Sequence, residues 1–125
     1  MLADMSIQLS AAGSLVYEAA KSAEFTKSGF PDPLKAAQAK VFTADAAIKV
    51  ANDALQIFGA MGYSRNLPLE RMARDARMFT IGGGTAQVLR TLVASKILGQ
   101  KLPQTREGFA SLADSLVNTS KVAAE

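Results

Sequence analysis

A chain of 125 residues with 49% apolar residues and a formal net charge of +3 has the size and composition of one globular unit, not of a disordered segment. It contains no Cys, His or Trp, which excludes disulfides, thiolate nucleophiles, thiolate metal sites and imidazole acid–base chemistry, so any proton transfer falls to Asp, Glu, Lys or Tyr. With no signal-peptide pattern and no apolar run long enough to span a bilayer, the expected location is cytoplasmic.

The first predicted element runs from about Leu2 to Phe25. Leu2, Met5, Leu9, Ala12, Val16, Ala19 and Ala23 recur at 3,4 spacing, the apolar stripe of an amphipathic helix. The helix starts with no capping segment before it, which leads us to expect that Met1 cuts into a longer architecture. Residues 27–33 form a turn, in which Asp32 is the expected N-cap and Pro33 the first helical residue. The second predicted helix carries Leu34, Ala37, Val41, Ala44, Ile48, Ala51, Leu55 and Phe58 on one stripe. Its length is about 37 Å, and it should pack antiparallel on the first helix.

Gly59 and Gly62 are expected to end this helix, with residues 63–67 as a loop. A short helix follows from Leu69 to Phe79, with Leu69, Met72, Ala76 and Phe79 facing inward. After Gly82-Gly83-Gly84, Thr85 caps a helix over about Ala86–Leu98, ended by Gly99 and Pro103. Phe109, Leu112, Leu116 and Ala123 mark a weaker C-terminal helix. No alternation long enough for a strand is present.

Two glycine-interrupted helix ends stand out as candidate sites. Gly82-Gly83-Gly84-Thr85 allows close backbone approach, and the unpaired N–H groups of a helix start favour an anion. It matches neither a dinucleotide fingerprint, lacking a preceding strand, nor a P-loop, lacking the Lys. A simple helix–helix corner accounts for the same residues. Gln56-x-x-Gly59-x-x-Gly62-Tyr63 is the second candidate, and a C-cap with an irregular loop accounts for it equally. Arg65, Arg71, Arg74 and Arg77 fall within thirteen residues beside Glu70 and Asp75. This cluster reads as a solvated face with ion pairs, Asp75 among them, and gives thin support for nucleic-acid binding. Tyr17 and Tyr63 read as core or rim packing.

Gln56-Ile-Phe-Gly-Ala-Met-Gly-Tyr63, followed by Asn66, Arg71 and Arg74-Asp75-Ala76, resembles the C-terminal signature of the acyl-CoA dehydrogenase family. Ile81-Gly-Gly-Gly-Thr85-Ala-Gln87, with Arg90 after it, resembles that family's next segment. The likeness covers about residues 2–98, and Ala60 replaces a small residue that is usually Gly. It implies an all-α fold, the up-and-down four-helix-bundle type of the acyl-CoA dehydrogenase C-terminal domain, with the first helix missing. On that basis residues 1–99 form an incomplete bundle, and residues 100–125 a linker with an additional helix.

The resemblance also implies a cofactor and a chemistry. The family's flavoenzymes use FAD for α,β-dehydrogenation of an acyl-CoA thioester, mostly as tetramers, and pass electrons to an electron-transferring flavoprotein. By motif position Gln56, Gly59 and Ala60 would contact FAD held by a neighbouring subunit. Thr85 and Gln87 would contact FAD of the same subunit, and Gly84 would lie near the substrate thioester. Many members carry the catalytic Glu where this chain has Gly83, and others carry it on a preceding helix that would lie upstream of Met1. The family base is thus expected to be absent, with no metal in its place. The expectation is a C-terminal piece of such an enzyme, inactive alone and homo-oligomeric as a dimer or tetramer. The alternative is a non-catalytic helical oligomerisation or interaction module derived from the family.

Overall fold

The computed structural model describes residues 1–122. Among them are five α-helices: α1 (Leu2–Lys21), α2 (Pro33–Tyr63), α3 (Leu69–Met78), α4 (Ala86–Leu98) and α5 (Arg106–Val122). Among the described residues there is no strand, and the all-α expectation holds.

α1 ends four residues earlier than its apolar stripe suggests. Residues Ser22–Phe25 tighten into a 3-10 turn, and the reason is the Ser22 hydroxyl. It is buried, donates to the Ala19 carbonyl at 2.5 Å and accepts the Asp32 N–H at 2.8 Å. One side chain thereby holds the end of α1 against the start of α2. Asp32 caps α2 as expected, its Oδ1 accepting the N–H groups of Leu34 and Lys35 at 3.0 Å each, with Pro33 at the first helical position. The short connection folds α1 back along α2, and Lys35 of α2 pairs with Glu18 of α1.

α2 is the central element and packs against α1, α3 and α4. Its buried residues are alanines: Ala37 and Ala44 on one side, Ala39 and Ala46 on the other. Members of each pair are seven residues apart, and the two pairs lie about 200° apart around the axis at 100° per residue. The Ala39 side lies with Lys35 toward α1, and the Ala44 side toward Phe79. With only a methyl group at these points, the neighbouring backbones approach closely.

Gly59 breaks α2 where the sequence places its end: it takes φ 54° and ψ −135°, a backbone open to glycine alone. One further turn of helix follows the kink as far as Tyr63, so Gly62, also expected at the helix end, lies within that turn and is buried.

The inward stripe of α1 is shifted in part from the expected one. Met5, Ala12, Ala19 and Ala23 of the expected stripe are covered, but Leu2, Leu9 and Val16 are exposed, and Gln8 and Leu15 are covered in their place. Phe79 lies just past the end of α3 and is half exposed. Phe109 and Leu116 of α5 are exposed, and Ala123 lies outside the described residues. No large apolar side chain is fully buried among the described residues. A compact monomer of this mass exposes about 6,400 Å², whereas this chain of 13.1 kDa exposes 8976 Å². The excess is apolar in good part: Ile7, Leu9, Val16, Phe58 and Ile97 are all open.

Candidate functional site

The glycine segment between α3 and α4 is a closed loop. Its base is the hydrogen bond from the Ala86 N–H to the Thr80 carbonyl, 2.9 Å. Thr80 is buried, and its hydroxyl accepts from Arg77 Nη1 at 2.8 Å and donates to the Arg77 carbonyl at 2.9 Å. Gly83 and Gly84 both have positive φ, 66° and 90°, so the segment reverses where a side chain would be strained. Thr85 then caps α4 as expected, its Oγ1 accepting the Val88 N–H at 3.2 Å.

Lys40 of α2 holds the inner side of this loop. Its ammonium donates to the carbonyls of Phe79 at 2.6 Å, Gly82 at 3.0 Å and Gly84 at 2.7 Å. Three donors meet three acceptors, at the C-terminal end of α3 where a cation is favoured. The peptide bonds are all trans, so the N–H following each carbonyl points the opposite way. Gly83 and Thr85 thus turn their N–H groups outward. Those of Gly83, Gly84, Thr85 and Gln87 make no hydrogen bond within the described residues. The outer face of the loop is a set of unpaired donors at a helix start, with the exposed Gln87 amide beside it.

The second candidate site lies at the far end of α2. Asn52, Leu55, Gln56, Gly59 and Tyr63 line an open groove of about 410 Å³. The Gln56 side chain is exposed and makes no hydrogen bond within the described residues. Ala60 is exposed next to the Gly59 kink. Gln56 and Gly59 therefore meet in one groove, and Gly83, Gly84, Thr85 and Gln87 in one loop. The two groups do not meet each other: Lys40, which holds the loop, and Gln56 are sixteen positions apart, about 24 Å along α2.

Several side chains behave differently from expectation. Asp75 is exposed and makes no ion pair among the described residues; Arg74 reaches Glu70 instead, at 3.2 Å. Tyr17 and Tyr63 are exposed and belong to no core. No carboxylate among the described residues contacts the glycine loop, and none of their His, Cys, Asp or Glu side chains group to hold a metal. Lys40 was not singled out from the sequence. Its signal was a lysine on the row of Ala37 and Ala44, three positions after one buried alanine and four before the other.

The residues present suit FAD as the family would hold it. Outward N–H groups, the Thr85 hydroxyl and the Gln56 and Gln87 amides are donors for phosphate and ring oxygens, and Gly59 and Gly83 leave the approach unobstructed: nothing lies within 4 Å of a Cβ built at either.

Residues 1–98 match the acyl-CoA dehydrogenase C-terminal domain family. A 3-sulfinopropanoyl-CoA desulfinase of Advenella mimigardefordensis is 61% identical over 115 residues, 92% of this chain and 28% of that protein. The short-chain-specific acyl-CoA dehydrogenase of Clostridium acetobutylicum is 39% identical over 97 residues, 78% of this chain and 25% of that protein. Among solved structures, butyryl-CoA dehydrogenase from Megasphaera elsdenii superposes with a TM-score of 0.71 at 40% identity, over 78% of this chain and 24% of that one. This chain spans about a quarter of the length of the relatives it matches. No helix of the described residues is long and apolar enough to cross a membrane. The chain belongs to the acyl-CoA dehydrogenase family and corresponds to its C-terminal helical domain.

Proposed function

We propose that this chain is the C-terminal part of a FAD-dependent flavoprotein that removes a β-sulfinate group from an acyl-CoA, and does not carry out α,β-dehydrogenation. The observation that carries this reading is the 61% identity to a 3-sulfinopropanoyl-CoA desulfinase over 92% of this chain, against 39% to an acyl-CoA dehydrogenase over 78% of it. Gly83 accords with it, since no side chain stands at the loop position where many family members hold the carboxylate that takes the α-proton. With water, 3-sulfinopropanoyl-CoA gives propanoyl-CoA and sulfite. The carbon–sulfur bond breaks, its electron pair stays on carbon with a proton, and sulfur gains an oxygen from water. The reaction is redox-neutral, so no electron-transferring flavoprotein is required. The desulfinase alignment supports this further. Its 115 residues extend beyond the 98 that the family as a whole matches.

Bound FAD supplies the electron-accepting ring system and its phosphates. Thr85 and Gln87 contact FAD of the same subunit, Gln56, Gly59 and Ala60 that of a neighbour, and Gly84 lies near the thioester. The roughly 24 Å between the two groups supports this division, because a pocket using both draws them from two chains. The protein is a cytoplasmic homo-oligomer, dimer or tetramer, whose exposed apolar faces close on other subunits or domains.

The test is incubation of the purified, flavin-loaded protein with 3-sulfinopropanoyl-CoA, and separately with butyryl-CoA and a dye acceptor. Sulfite release with no dye reduction is the expected result. Dye reduction with butyryl-CoA returns the protein to α,β-dehydrogenation, with electron-transferring flavoprotein as its partner. A protein that binds no FAD and assembles all the same is a non-catalytic oligomerisation module, a second reading favoured by its large exposed apolar area.

A further inference from the structure

We infer that Lys40 is a positioning residue of the flavin and acyl-CoA site, acting through the glycine loop, an inference that rests on the functional reading above. Three carbonyls from Phe79, Gly82 and Gly84 converge on one ammonium within 3.0 Å. In a glycine-rich loop the backbone has many alternatives of similar energy. A flip of the 82–83 peptide turns only ψ of Gly82 and φ of Gly83 and exchanges the inward carbonyl for the outward N–H, and glycine tolerates either state; the 84–85 peptide ends on Thr85, whose φ of −61° already restricts it. Lys40 removes that freedom: a flip would bring an N–H against the ammonium and withdraw one of its acceptors. The ammonium also lies at the carbonyl end of α3, where the helix dipole adds to the attraction. The loop is therefore held with the Gly83 and Thr85 donors facing the side where ligand binds, before any ligand arrives. No element of the loop itself does this. Gly83 has nothing within 4 Å of its missing side chain, and among the described residues the backbone bonds at the loop, from the Gly82 N–H to the Met78 carbonyl and from the Ala86 N–H to the Thr80 carbonyl, fix its two ends and leave the 82–83 and 84–85 peptides without a backbone partner.

Lys40→Met keeps the side-chain length and deletes the charge and the donors. Lys40→Arg keeps the charge but presents a planar fork that does not converge on three carbonyls. In the protein at its native length, both variants are expected to keep wild-type helix content and oligomeric mass. The amide resonances of Gly83, Gly84 and Thr85 shift or broaden in both, while those of α1 stay in place. Lys40→Met weakens FAD binding about tenfold and lowers kcat/KM for the acyl-CoA about 100-fold, and Lys40→Arg recovers part of each loss. Wild-type FAD affinity and turnover in Lys40→Met overturn the inference. So does a variant that unfolds, since Lys40 is then a folding residue only. A wild-type protein that binds no FAD refutes the functional reading instead. The loop amides then decide on Lys40: unchanged resonances in Lys40→Met overturn the positioning role, and shifts confined to residues 82–85 sustain it.

Discussion

Gly62 packs against the carbonyl of Leu55, seven residues earlier in the same helix: a Cβ added at Gly62 would stand 2.8 Å from that oxygen and 2.9 Å from the Phe58 Cβ. The Gly59 kink makes this contact by bending the last turn of α2 back on the preceding one. Two glycines three positions apart are thus needed for different reasons, Gly62 for space and Gly59 for its backbone conformation.

Gly62→Ala pushes a methyl into a backbone oxygen, which has no rotamer with which to yield, and should cost about 1–3 kcal/mol. Gly59→Ala has open space but an L-residue at φ 54°, and should cost about 1–3 kcal/mol through strain. The thermal midpoint falls in both. The groove at Gln56 is distorted in both as well, so FAD affinity falls alongside stability. A wild-type midpoint in Gly62→Ala would show that the last turn of α2 does not bend back as described.

Ser22→Ala deletes the donor to Ala19 and leaves the Asp32 N–H without its acceptor. Both bonds are largely shielded from water, and the expected destabilisation is about 1–3 kcal/mol. Ser22→Thr retains the hydroxyl and separates the lost hydrogen bonds from a general intolerance of change. Hydrogen exchange at the Asp32 amide should speed up in Ser22→Ala and stay near wild type in Ser22→Thr.

The helix ends were legible in the sequence because each rests on a local signal. Asp32 before Pro33, Thr85 before Ala86 and Gly99 after Leu98 all fall where the structure places them, each with φ/ψ or hydrogen bonds to match. The inward face of α1 was legible only in part. Its apolar residues cover a wide arc, and only packing against α2 decides that Leu15 turns in and Val16 out. Gly59 marks the break in α2, as a glycine after a long apolar stripe predicts, but nothing in the sequence shows that one more turn follows the kink. Lys40 could not be found by spacing around the glycines, since its three acceptors lie 39 to 44 residues away. Asp75 was expected to pair with a neighbouring arginine, but the i,i+4 geometry of α3 gives Arg74 to Glu70.

Stability against acid should follow the surface pairs. The Lys35 ammonium hydrogen-bonded to Glu18 holds that carboxyl below its ordinary 4.5, and the N-terminal ammonium holds Asp4 below 3.8. A depressed folded-state pKa gives stabilisation that is present above the ordinary value and is lost as pH falls through the folded one. Asp53 raises Lys49 above its ordinary 10.5, so its contribution is present below that value and is lost as pH rises past the folded one. With no His in the chain, these groups leave the midpoint flat between about pH 5 and 7. Lys35→Met should flatten part of the decline below pH 4.5 without altering the neutral plateau by much, because both side chains of the pair are open to solvent. An acid limb as steep as that of wild type would show that Glu18 titrates unpaired.

Gly83→Glu tests the reading of the loop as a site from which the base is absent. A Cβ at Gly83 meets nothing within 4 Å, so the first carbon of the new side chain displaces no neighbour. The cost is an L-residue at φ 66°, about 1–2 kcal/mol, which should lower the midpoint without abolishing folding. The new carboxylate would stand on the exposed side of the loop, beside the outward N–H groups and away from Lys40. There it can take a proton from the carbon next to the thioester, a step for which the wild-type loop offers no side chain. Butyryl-CoA should then reduce a dye acceptor through bound flavin where wild type does not, while sulfite release from 3-sulfinopropanoyl-CoA should fall. If the variant folds, holds FAD and still gives no dye reduction, Gly83 does not face the α-carbon, and the absence of a side chain there is not what separates the two chemistries.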